Sequence, residues 1–185
     1  MTKGNILLCI IFIVLLLVVL CIIMYKYKGD RLINIKNKLD LSEDEYYSRI
    51  KSKQEILLSL INIVEPKYKV ESKVFEDAKK LEITQEKLYD NEKLLNKCYK
   101  EIIHVIEDHS KVKQTKALKE ELKKYDDSEL FIISIRTFYN KYTLIYNNII
   151  KKFPYNIIAK LKKYKIKSLI EGKELDTNYN NDLEV

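Results

Sequence analysis

The chain has 185 residues, 33% of them charged and 46% hydrophobic, with a formal net charge of +7. Only 3 Gly and 2 Pro occur, too few for a sheet protein built on tight turns, so long helices are expected instead. The positive excess admits nucleic acid, an anionic membrane or acidic proteins as partners, although lysines spread over solvated helix faces give the same total.

Residues 4–25 carry no charged side chain, and Ile6 to Met24 is almost purely Ile, Leu, Val, Phe and Cys. About 20 apolar residues cross a bilayer as a helix, and the run exceeds a signal-peptide core of about 7–15 residues. No small-x-small cleavage site follows it, and Leu20 precedes Cys21 where a lipoprotein signal has a small residue. After a short N-terminus (1–4), residues 5–25 are therefore expected to form an uncleaved transmembrane helix, with the lipid bilayer as its partner. Lys3 stands before the span. Lys26, Lys28, Arg31, Lys36 and Lys38 follow it, with Asp30 the one acid as far as Lys38, in a basic juxtamembrane segment (26–40). The positive-inside rule then puts the N-terminus outside the cell membrane and the domain in the cytoplasm, with Tyr25 and Tyr27 at headgroup level. Cys9 and Cys21 sit in the run, leaving Cys98 alone, so neither an internal disulfide nor a CxxC zinc pair is available.

Residues 41–170 read as a helical bundle domain. Tyr47, Ile50, Gln54, Leu57, Ile61 and Val64 step by threes and fours, and the phase continues to Tyr68, Phe75 and Ala78. The continuing phase favours a kink at Pro66, with a turn there as the alternative. Leu88, Leu95 and Ile102 mark a second helix, from about Thr84, a candidate cap, to Asp108. Leu118 and Tyr125 are in phase with Ile132, which argues for one helix from about 113 to 153, about 60 Å long at 1.5 Å per residue. A loop at Asp126-Asp127-Ser128 is the alternative.

Within that helix Ile132, Ile135, Tyr139, Tyr142, Tyr146, Ile149 and Phe153 form an apolar row. The pairs Tyr139-Asn140 and Tyr146-Asn147 stand seven residues apart, on one side of the helix. Pro154 is expected to stop the helix. Ile157, Leu161 and Tyr164 then give a short amphipathic C-terminal helix, and residues 171–185 a disordered polar tail. The expected fold is all-α: the span, an up-and-down bundle of about three long antiparallel helices, and that short helix.

The residues from Glu129 to Ala159 resemble the LemA family of bacterial membrane-anchored helical proteins. Glu129 and Ile132 match its TE-x-x-I, and Arg136 with Tyr139-Asn140 its AR-x-x-YN. Tyr146-Asn147 matches the second YN, and Phe153-Pro154, Asn156 and Ala159 match FP-x-N-x-x-A. Weaker similarity reaches back through Leu60-Ile61 and Glu71, and with the anchor covers most of residues 5–160. Leu58-Ser59 stand where the family has Pro-Asn, Val70 where it has a histidine, and Leu130-Phe131 where it has Asn-Arg. The resemblance implies one N-terminal span, an up-and-down helical domain, a first turn near Ile83 with Pro66 as a kink, and no established enzymatic activity.

The residues offer little catalytic chemistry. Glycines only at 4, 29 and 172 exclude a phosphate loop. His104 and His109, five apart, diverge on a helix and make a poor metal pair. No cofactor is expected, and a hydrolytic enzyme is the weakest reading. Glu129, Arg136, Asn140, Thr143 and Asn147 form a polar stripe one residue beyond the apolar row. It is either a face that recognises a partner or, preferably, a set of groups that bond neighbouring helices and fix register.

Lys151, Lys152, Lys160, Lys162, Lys163, Lys165 and Lys167 cluster without an acid. A membrane-surface role is conceivable, but three alternating legs would put this cluster far from the bilayer, which favours an acidic partner or plain solvation. The leading expectation is a non-enzymatic interaction or scaffold protein at the membrane with a protein partner. The alternative is an accessory signalling or transport protein that binds a small ligand or peptide between its helices. Nucleic acid is not expected, and a homo-oligomer is left open.

Overall fold

The computed structural model describes residues 3–109 and 114–171, in which every regular element is a helix. Helix α1 spans Lys3–Tyr68, α2 Lys73–Lys79, α3 Leu88–Asp108, α4 Lys116–Ile149 and α5 Tyr155–Leu161, with one 3₁₀ turn at Gln85–Lys87 before α3. The fold is thus all-α, with three long helices and a short C-terminal one. Apart from Glu171, the expected polar tail lies outside the described residues. The chain divides into two compact units, residues up to 40 with 141–169, and residues 41–140 with those from 170.

In the unit of residues 41–140, α1 turns Tyr46, Ile50, Lys53, Leu57, Leu60, Ile61 and Val64 inward. The expected seam differs at two places: Tyr47 and Gln54 are only half-buried, and Lys53 takes the interior position. Tyr47 and Gln54 instead serve the chain after α2. The Tyr47 hydroxyl donates to the Ile83 carbonyl (3.5 Å), and Gln54 Nε2 to the Leu81 carbonyl (2.7 Å). Pro66 sits in the last turn of α1, which ends at Tyr68. Lys69 adopts a positive φ of 54°, and the Val70 N–H donates back to the Glu65 carbonyl at 3.3 Å. Pro66 therefore marks an end rather than a kink, and the left-handed residue reverses the chain, as at other helix C-termini.

That reversal adds a leg. Residues 69–87, including α2 with Phe75 and Ala78 buried, run back along α1. Helix α3 then runs parallel to α1: Tyr46 meets Glu92 near its start, and the Tyr68 and His109 rings lie 5.4 Å apart at its end. Helix α4 is antiparallel to both, with Glu43 beside Tyr139 on α1, and Tyr99 beside Asp126 on α3. Thr84 makes no side-chain cap, whereas Thr115 Oγ1 accepts the Leu118 N–H at 3.3 Å. Helix α4 passes unbroken through Asp126-Asp127-Ser128.

The other unit holds residues up to 40 and 141–169. The side chains of Ile10 to Tyr27 are exposed, and burial begins at Gly29, Leu32, Ile35 and Leu39. The basic segment 26–40 is helical and part of α1. Helix α4 ends at Ile149, before the expected residue 153. The residue preceding Pro154 is disfavoured in helical conformation, and Lys152 N–H turns back to the Ile149 carbonyl (2.9 Å). Phe153, expected in the apolar row, is 76% exposed. Helix α5 buries Tyr155, Ile158 and Ala159, not the expected face of Ile157 and Leu161, which are exposed.

The segment after α4 lies beside the start of the buried part of α1. Lys28 Nζ is 5.5 Å from the Tyr155 ring, Lys36 Nζ 5.7 Å from the Tyr164 ring, and Lys167 Nζ 3.1 Å from Asp40 Oδ1. The lysine cluster is therefore next to the apolar run, against the expectation that it stands far away. The expectation counted three legs and left out the return of residues 69–87 along α1.

Candidate functional site

In the unit of residues 41–140, the interior holds a polar cluster built by one helical face from each long helix. Tyr46 and Lys53 come from α1, Glu92 and Asn96 from α3, and Tyr125, Glu129 and Arg136 from α4. Arg136 is 1% exposed and Glu92 3%. Arg136 Nη2 lies 2.5 Å from each Glu92 oxygen, and the Tyr46 hydroxyl donates to Glu92 Oε2 at 2.5 Å. Lys53, fully buried, pairs with Glu129 and donates to Asn96 Oδ1 at 2.6 Å. The Tyr125 hydroxyl donates to the same Asn96 oxygen at 3.0 Å, and its ring stacks on Tyr99 at 3.8 Å.

Two cations face two carboxylates, so the cluster is neutral. Buried charge persists only when paired and hydrogen-bonded in this way. Burial, reinforced by Glu92, raises the Tyr46 hydroxyl well above its ordinary range. Burial and Glu129 do the same to Tyr125, and both phenols stay neutral donors. Burial works against the Arg136 charge, but the hydrogen bond and charge of Glu92 prevail and raise its pKa. The Cys98 thiol, pushed up to about 12 by burial and then by Glu101 and Glu65, stays protonated and unreactive.

Beside the cluster lies a groove of about 610 Å³ between α3 and α4. Tyr89, Asp90, Lys93, Lys97 and Lys100 line it, with Glu92, Glu129 and Arg136.

The residues singled out from the sequence divide among three places. Glu129 and Arg136 belong to the cluster. Tyr139 is buried and donates to Glu43 at 2.9 Å, and Tyr146 and Thr143 are buried. The asparagine side chains bond the backbone of a C-terminal segment. Asn140 Nδ2 donates to the Ile170 carbonyl (2.8 Å), and its Oδ1 accepts the Ile170 N–H (2.9 Å). Asn147 does the same to Lys167, at 2.7 and 3.0 Å. Each side-chain amide thus acts like a neighbouring peptide group. Phe153, Pro154 and Asn156 stand apart, at the α4–α5 corner, where Asn156 Oδ1 accepts the Ile157 N–H (2.9 Å).

Tyr46, Lys53, Glu92 and Asn96 were not singled out from the sequence, and Tyr125 only as a position of the apolar seam. Lys53 falls in the three-four register of Tyr46, Ile50 and Leu57, and Glu92 lies three residues before Leu95. Those spacings were the available signal.

A family model described as LemA family matches residues 44–182. The chain belongs to the LemA family. The match begins beyond the apolar run and extends past residue 160, so it takes in the segment that Asn140 and Asn147 hold as well as the polar cluster. No curated protein and no solved structure matches this LemA-family chain significantly.

Proposed function

We propose that this LemA-family chain is a non-enzymatic interaction protein tethered to the cell membrane. Residues 5–25 cross the bilayer, the N-terminus is outside, and the bundle meets a protein partner in the cytoplasm. The carrying observation is the continuity of α1. One helix runs from an apolar stretch whose described side chains are exposed, Phe12 at 66% for example, into the interior of the bundle. Such a helix suits a membrane tether. The buried cations and carboxylates bond one another, which suits a scaffold rather than a reaction centre.

The test is co-purification from detergent-solubilised membranes. A cross-linked protein partner is expected with the full chain, and its loss in Lys93→Glu/Lys97→Glu/Lys100→Glu with unchanged circular dichroism. Failure to cross-link any protein would contradict the reading.

The groove favours a second reading, a small ligand or peptide held between α3 and α4. A bound acidic peptide would raise the melting temperature of the full chain, and the same triple substitution would abolish the rise.

A further inference from the structure

The α4–α5 corner combines two features that the bundle does not use. Its apolar side chains Phe153, Ile157 and Leu161 are 76%, 50% and 67% exposed. Ile157 and Leu161 are four apart on α5, so they share the face opposite buried Ile158 and Ala159. Exposed lysines border them: Lys151 and Lys152 before, Lys160 between Ile157 and Leu161, and Lys162 and Lys163 after. No acidic residue occurs between Glu129 and Glu171.

The position of the corner decides what this surface fits. Tyr155 of α5 lies against Lys28, three residues beyond the last residue of the uncharged run. Lys167 and Tyr164, which follow α5, are tied to Asp40 and Lys36 of the same helix. The apolar and basic groups therefore sit where α1 leaves its apolar stretch. An apolar stripe bordered by lysines is the composition of an interfacial helix, with the apolar groups below the headgroups and the ammonium groups on the phosphates. A water-soluble partner would leave unexplained why both features gather at this one level of α1.

We propose that the α4–α5 corner is a second, interfacial membrane contact: Phe153, Ile157 and Leu161 enter the headgroup layer, and the surrounding lysines bind anionic lipid. The inference rests on residues 5–25 spanning the bilayer. The tether fixes proximity, and the corner adds a surface contact whose strength depends on lipid charge.

The test uses the full chain with Cys9→Ala and Cys21→Ala, reconstituted in vesicles of phosphatidylcholine alone or with 30% phosphatidylglycerol. An environment-sensitive fluorophore is placed at Ile157→Cys, at Val18→Cys as a reference in the span, or at Lys119→Cys on the bundle. Buried Cys98 stays unlabelled. Quenching by brominated lipid is the readout. The expected result is strong quenching at 18 in both vesicles, none at 119, and quenching at 157 that at least doubles with anionic lipid. Lys160→Glu/Lys162→Glu/Lys163→Glu should remove that increase. Quenching at 18 without quenching at 157 overturns the corner contact alone. Absence of quenching at 18 overturns the tether and the corner contact together.

Discussion

Arg136 and Glu92 form an ion pair between α4 and α3, with Nη2 2.5 Å from each carboxylate oxygen and both side chains almost wholly out of solvent. Removing one partner strands the other charge in the interior, at a cost of about 3–5 kcal/mol. Arg136→Met and Glu92→Leu are each expected to destabilise the bundle by that amount in urea melts in detergent. The double variant should cost much less than the sum, because it leaves no buried charge. Costs that add to within about 0.5 kcal/mol would mean that the pair is not coupled.

Asn140 and Asn147 hold the backbone at Ile170 and Lys167. Replacing either by Ala removes its two hydrogen bonds to that backbone, worth about 1 kcal/mol each. Hydrogen exchange is expected to speed up at the Ile170 amide in Asn140→Ala and at the Lys167 amide in Asn147→Ala. The Leu95 amide in the core should be unaffected. Unchanged exchange at 167 and 170 would show that the asparagines do not secure the segment.

Asp40 links Lys36 on its own helix to Lys167 after α5. Burial alone would raise its pKa, but hydrogen bonds from Lys36 and Lys167 prevail and hold it below the ordinary 3.8. A depressed acid stabilises the folded state above its unfolded pKa, and that contribution fades as pH falls through the folded value. The stability difference between the natural chain and Asp40→Asn should therefore be present at pH 6 and shrink as pH falls below about 4. The carboxyl-carbon NMR shift of Asp40 should titrate below 3.8, and move up in Lys167→Met. A Lys167→Met titration unchanged from the natural chain would deny that the bridge operates.

Cys98 is fully buried, with its pKa pushed up to about 12. Alkylation at pH 8 should be slow in the folded chain and become fast in urea, in step with the unfolding curve. Fast labelling of the folded chain would show that α3 opens locally.

The elements that the sequence made legible are those with long apolar periods. The phase from Leu118 through Tyr125 to Ile132 was enough to carry α4 across Asp126-Asp127-Ser128, and the family motifs pointed to Arg136 and both Tyr-Asn pairs. Three things escaped for physical reasons. Among the described residues of 69–87, Phe75 and Ala78 on α2 and Ile83 beyond it are buried, too few at regular spacing to announce a leg of the bundle. Lys53 occupies a core position, which a charge can do only with partners such as Asn96 and Glu129 on distant elements. The asparagines bind an extended segment that has no periodicity, so their spacing was visible and their target was not.

The most direct test of the tethered, inward-facing bundle is thiol accessibility of Lys119→Cys in carbonate-washed membranes from cells exposed to an impermeant maleimide. Residue 119 is exposed on the bundle, and Cys98 is buried. The account predicts that the protein stays in the washed membranes and is labelled only when the cells were permeabilised first. Labelling in intact cells, or loss of the protein to the carbonate wash, would contradict it.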